Sequence, residues 1–141
     1  MKGLPLAGLV VLTFLAGSAQ AARLVVEIEG IRSASGSVYV ALFSKPEGFP
    51  DGNFCDQHMK IAAAAKPLTV IFDNVTPGNY AVGAYHDENN NGRLDTNFIG
   101  YPMEGYALSN GIRAVISRPR FIDAAFAVGS ADEQVTLHIR Y

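Results

Sequence analysis

One cysteine occurs in the 141 residues, Cys55, so no internal disulfide can form and the fold must live on its core. Cys55 stands three residues before His58 in "CDQH". One such pair is too few ligands for a structural zinc site. Cys55 is read as an unpaired thiol, or as the site of an intermolecular bridge, without a catalytic role. Histidine is scarce too: His58, His86 and His138 are all there are. Hydrolysis at a metal usually needs a histidine or two beside an open coordination position, so a metal hydrolase is a poor fit. There is no Gly-rich phosphate loop and no nucleophile elbow, which removes the common nucleotide and serine-hydrolase readings. Cations are not in excess either. Eleven Lys and Arg face thirteen Asp and Glu, for a net charge of −2, and nothing suggests nucleic acid as a partner. Arg113, Arg118 and Arg120 make a local basic group, read as a solvated face.

What is present begins with "LPLAGLVVLTFLAG", an apolar run about as long as a signal-peptide core and short for a bilayer span. "SAQA" follows, with small residues at Ala19 and Ala21. This predicts a signal peptide over residues 1–21 and one domain over residues 22–141, exported to the periplasm or secreted. No second apolar run of spanning length exists, so no membrane span is expected in the mature chain. Loss of Lys2 would take the net charge to −3.

Period-two alternation dominates the rest. "RLVVEIEG" puts Leu24, Val26 and Ile28 on one face and Val25, Glu27 and Glu29 on the other. "SVYVALF" is apolar on both faces and reads as a central strand. "SKPEGFPDGNFCDQHMK" is a long loop, and the alanines of "IAAAAK" favour a helical turn after it. "LTVIFDNV", "YAVGAYHD" and "QVTLHIRY" are further strands, the second preceded by the turn "TPGN". Residues 98–121 lack periodicity and read as an ordered connection. Six or seven short strands with turns between them predict an all-β, antiparallel sandwich.

The stretch that singles out a site is "HDENNNGRLDTN", residues 86–97. Asp87, Asn89, Asn91 and Asp95 occupy positions 1, 3, 5 and 9 of a D-x-N-x-N-G-x-x-D pattern, with Gly92 at position 6. Alternate side chains of a curled loop can aim oxygens at one calcium ion, and the carbonyl of Arg93 at position 7 adds another. Position 12 is Phe98, where an EF-hand has glutamate. A missing ligand would come from Glu88, Asn97, Glu104, Asp123 or water. The expectation is a weak calcium site at Asp87, Asn89, Asn91, Arg93 and Asp95. The bland alternative is a polar turn, since Asn, Asp and Gly suit turns without any ion. His86 is expected to cap or orient the loop, and His138 to be solvated. Phe98, Tyr101, Tyr106 and Phe121 either cover one end of the core or offer faces to a sugar or peptide.

"FDNVTPGNYAVGAYHD" resembles the strand–turn–strand of prealbumin-like (transthyretin-type) modules, in which the turn delivers a tyrosine into the core. "GSVYVALFSKPEGFPD", "HDENNNGRLDTNFIGYPMEGYALSN", "FIDAAF" and "VTLHIRY" together resemble the bacterial secreted family catalogued as domain of unknown function 2141. The resemblance implies a prealbumin-like, Greek-key sandwich and export, and it implies no activity. The expected role is therefore a non-enzymatic binding or accessory module of the cell envelope, with an envelope protein, peptide or glycan as partner. The alternatives are a metal-dependent hydrolase and a carrier of a small apolar ligand between the sheets.

Overall fold

The computed structural model describes residues 21–113 and 117–141. The expected signal segment, apart from Ala21, lies outside the described residues.

Two sheets face each other across one core. The smaller has the order β4 (Leu68–Val75), β1 (Ala22–Glu29), β8 (Glu133–His138). The larger has the order β3 (Gln57–Ala62), β2 (Ser37–Phe43), β5 (Gly78–Asp87), β6 (Tyr106–Leu108), and β7 (Phe126–Val128) pairs with the start of β5. A four-residue helix, α1 (Phe121–Ala124), precedes β7. No helix among the described residues is long and apolar enough to cross a membrane.

The alternating strands put their apolar faces where the periodicity predicts. Leu24, Val26 and Ile28 of β1 are fully buried, as are Val38 of β2, Phe72 of β4 and Val82 of β5. Truncating Leu24 or Ile28 to alanine should cost about 2–5 kcal/mol, because a filled core relaxes only in part around the void. The same filling occupies the space between the sheets that a carried apolar ligand would need. At the β4–β5 turn, Tyr80 is buried and its hydroxyl donates to the carbonyl of Thr76 at 2.8 Å, so the turn does deliver a tyrosine into the core.

The structure corrects three expectations. Among the described residues there are eight strands instead of six or seven, because β6 and β7 are only three residues each and show no periodicity of their own. The sandwich is not wholly antiparallel: β1 and β8 pair in parallel, with Val26 opposite Val135 and Ile28 opposite Leu137. The alanine run makes no helical turn. Its first residues end β3, whose Met59 and Ile61 pack on the core while the strand pairs with β2. Pairing and burial outweigh the small helix preference of alanine.

The outer face of the larger sheet is not plain solvent. One end carries a second apolar cluster of Phe43, Phe49, Ala81, Leu108 and Ala124. Phe49 meets Phe43 and Phe121 edge-on, with ring centroids 5.1 and 5.9 Å apart. The other end carries the acidic loop. Between them the face is partly open, and the candidate site lies there.

Candidate functional site

Asp87 ends β5 with its side chain on the outer face, fully buried. Its two carboxylate oxygens accept the backbone N–H groups of Asn91 (3.1 Å) and Gly92 (2.8 Å), curling the chain over its own strand. The curl needs left-handed backbone at Asn90 (φ 58°) and Gly92 (φ 81°), conformations that asparagine and glycine adopt most readily. Underneath, Gly36 has φ 73°, and a Cβ there would stand 1.9 Å from the Asp87 carbonyl oxygen, so no other residue fits.

Asn89 and Asn91 accept the N–H groups of Asn91 and Arg93 through their side-chain oxygens, at 3.0 and 3.1 Å. Their amide nitrogens both donate to the Asp95 carboxylate, at 2.7–2.9 Å. These bonds, with the nearby Arg93 guanidinium, hold the Asp95 carboxyl below the usual carboxylate range. The structure thus brings Asp87, Asn89, Asn91, Arg93 and Asp95 into one tight loop. The Asn89 and Asn91 groups that face Asp95 are donors, however, and a cation needs oxygens there. Calcium would enter only if both amides turned over, releasing two backbone N–H bonds. Among the described residues no three His, Cys, Asp or Glu side chains converge on a metal position.

The candidates for a missing ligand are all placed. Glu104 is buried, and its two oxygens accept the N–H groups of Glu88 and Asp95 at 3.0 Å each, clamping both ends of the loop. Glu88 is taken by Arg32 and Ser33, and the Arg32 bonds pull its carboxyl pKa down. Asn97 accepts from Ile99 and Tyr101 within a turn, and Asp123 pairs with Arg120. Phe98, at position 12, is 98% exposed at the tip of that turn.

His86 neighbours Asp87 but points the opposite way, into the core. Its Nε2 lies 2.7 Å from the carbonyl of Ser35 and its Nδ1 2.6 Å from the hydroxyl of Tyr141. A carbonyl can only accept, so Nε2 carries the hydrogen, and in the neutral ring Nδ1 accepts from Tyr141. That hydroxyl in turn accepts the Arg32 N–H at 3.1 Å, and the Arg32 guanidinium lies over the Tyr141 ring at 4.1 Å. His86 therefore ties the β1–β2 connection to the C-terminus. With both ring nitrogens bonded inside the fold, His86 offers none to a metal. His138 is mostly exposed, 3.6 Å from Glu29. Cys55 is half-buried, 3.9 Å from His58 Nδ1, and burial pushes its thiol pKa up, away from reactivity.

The arrangement that sequence reasoning missed is a trough of about 890 Å³ across the outer face of the larger sheet. Tyr39, Ala41 and Tyr85 make its floor, residues 50–53 and 117–119 one wall, and residues 92–102 of the acidic-loop segment the other. Tyr39 and Tyr85 are paired in register on β2 and β5, and their rings stack at 4.9 Å, 2° from parallel. The ammonium of Lys60, next in the same row on β3, lies 5.2 Å from the Tyr39 ring centre. Burial, with Tyr39 and the Asp87 and Glu104 carboxylates nearby, pushes the Tyr85 phenol up to about 12. Arg113, Arg118 and Arg120 do not act as one group. Arg118 reaches the trough wall and donates to the carbonyls of Gly48 and Phe49, and Arg120 is neutralised by Asp123. The usable signal was the strand alternation: Tyr39 and Tyr85 fall on the face opposite the core, next to the small residues Ala41 and Gly83.

Comparison with known proteins adds one match. The model of a family described as "Uncharacterized protein conserved in bacteria (DUF2141)" covers residues 26–136. No curated protein and no solved structure matches.

Proposed function

The chain belongs to this uncharacterised bacterial family, and from that premise we propose that it is an exported, non-enzymatic binding module of the cell envelope whose ligand lies in the outer trough. The single observation that carries the reading is the trough itself. Its volume is in the range of ligand sites, and it combines a tyrosine floor with walls that mix apolar residues (Leu94, Ile99, Pro102) and polar ones (Asn53, Arg93, Arg118). The core between the sheets is filled, which favours the outer face over an interior carrier site. Export rests on the apolar run and "SAQA" of residues 1–21.

The hydrolase reading gains no support from the acidic loop and its neighbours. His86 is spent inside the core, and Asp87, Asp95 and Glu104 are each occupied by backbone or amide donors. In this reading the acidic loop stiffens one wall. Calcium at Asp87, Asn89, Asn91, Arg93 and Asp95 would stiffen it further, at an affinity near the weak end of extracellular sites, about 10⁻³ M, because the two amides must turn.

The test is an NMR titration of isotopically labelled protein with peptide and glycan fractions of a bacterial envelope. Amide shifts should cluster on β2, β5 and residues 92–102, and Ala41→Met, which fills the floor, should remove them. Shifts confined to other surfaces, or conversion of a component into product, would overturn the proposal.

A further inference from the structure

We propose that the turn over residues 97–103 is a membrane-contact site, whose apolar tip dips into the headgroup boundary of a phospholipid bilayer and holds the domain at its surface. The contact is independent of the trough, since neither Phe98 nor Met103 lines it.

The first observation is exposure. Phe98 is 98% exposed, Ile99 74%, Met103 63% and Tyr101 44%. Four of the eight large apolar side chains exposed among the described residues therefore stand on one turn. Single apolar residues are ordinary on a surface, but a cluster of this kind marks a contact site. These four do not cover the core, because none of them packs in either apolar cluster of the fold.

The second is the construction of the turn. Thr96 bridges to Pro102, the Asn97 N–H donates to the Tyr101 carbonyl at 2.8 Å and the Met103 N–H to the Asp95 carbonyl at 2.8 Å. The Gly100 N–H donates to the Asn97 carbonyl at 2.9 Å, and the Asn97 side-chain oxygen accepts from Ile99 and Tyr101 at 3.1 and 2.9 Å. Pro102 has no N–H, so every backbone donor from Ile99 to Met103 is satisfied within the segment. A donor without an acceptor is costly to carry out of water, and this turn carries few. The carbonyls at the apex still need water, which sets the depth at the headgroup boundary, about 5–10 Å in, where water persists. A preformed turn also loses little conformational freedom on insertion.

The third is charge. No charged side chain occurs from Thr96 to Met103. The flanking carboxylates are turned back into the acidic loop: Glu104 accepts the N–H groups of Glu88 and Asp95, and Asp95 accepts the amides of Asn89 and Asn91. A stable protein interface takes about 20–30 residues a side with a polar rim. A neutral tip with four apolar side chains falls short of that, and matches the weak, reversible attachment that a bilayer gives without any complementary shape.

The chain has no tryptophan, so Phe98→Trp places a single fluorophore at the tip and Ile71→Trp places one on the smaller sheet. The mature chain, free of the apolar run of residues 1–21, is mixed with vesicles of phosphatidylcholine and phosphatidylglycerol. Emission from Phe98→Trp should move to the blue and be quenched by lipids brominated near the top of the acyl chain, and Ile71→Trp should do neither. Both effects should survive high salt, because the contact is apolar. In vesicle flotation Phe98→Asp and Met103→Asp should each lower the partition coefficient about tenfold, as expected when one large apolar side chain is lost from the contact. Their melting temperatures should not change, since neither side chain packs on the core. Unchanged emission with vesicles, binding that salt abolishes, or flotation indifferent to both aspartate variants overturns the proposal. A blue shift with lipid-free envelope proteins and none with vesicles overturns it in favour of a protein partner. The trough reading rests on other residues and survives each of these outcomes.

Discussion

Replacing His86 by alanine separates a core scaffold from a catalytic group. His86 is fully buried and makes two hydrogen bonds, Nε2 to Ser35 and Nδ1 to Tyr141. Their net loss is worth roughly 0.5–1.5 kcal/mol each, and the Ser35 carbonyl is left without that donor inside the fold. The imidazole also leaves a void comparable to a large-to-small core change, which by itself costs about 2–5 kcal/mol. The losses overlap, so the expected total is about 3–5 kcal/mol, a large part of an ordinary domain's stability. For a domain of this size that is a fall in Tm of roughly 10–20 °C. Tyr141→Phe removes only the hydroxyl and should cost about 1 kcal/mol. Because both changes break the same bond, the double variant should be little worse than His86→Ala alone. Urea denaturation followed by circular dichroism measures all three. A loss below about 1 kcal/mol for His86→Ala would refute the placement of this side chain in the core network. A hydrolytic turnover that vanishes in a still-folded His86→Ala variant would refute the non-enzymatic reading.

Calcium at 10 mM, with Kd near ~10⁻³ M, should stabilise by about 1.4 kcal/mol and raise Tm by roughly 5 °C. Asp87→Ala should abolish the shift and Arg93→Ala should keep it, and an unchanged Tm after chelation and calcium addition would leave the loop a polar turn. Protein recovered from the periplasm or medium should begin near Ala22, and an intact mass retaining residues 1–21 would exclude cleavage there. The Tyr85 phenol, raised in the folded protein to about 12 from the ordinary 10, contributes stability that is fully present below pH 10 and lost as pH rises through 12. Alkaline denaturation of Tyr85→Phe should therefore be shallower over that window, and an identical slope would place the ring in water.

The strands were legible because burial of one sheet face imposes a period of two on neighbouring residues, and that is a local pattern. It placed Leu24, Val26 and Ile28 in the core without reference to any other part of the chain. The D-x-N-x-N-G-x-x-D loop was legible for the same reason. Asp87, Asn90 and Gly92 close it through bonds and left-handed backbone spanning five residues. Tertiary structure alone decided the rest. Alternation is the same for parallel and antiparallel neighbours, so nothing in "QVTLHIRY" shows that it lies parallel to β1. Ser109 and Asn110 look like turn residues, yet Ser109 bridges the Val82 N–H and the Ala124 carbonyl, and Asn110 holds the carbonyls of Asp123 and Ala125. Glu104 clamps a loop that begins sixteen residues earlier. The trough needs Tyr39 and Tyr85, forty-six positions apart, to become cross-strand partners, and needs Arg93 and Arg118 to arrive from separate segments. Periodicity records only which face of its own strand a residue takes. What that face meets is fixed by strand order and register, which depend on contacts between distant parts of the chain.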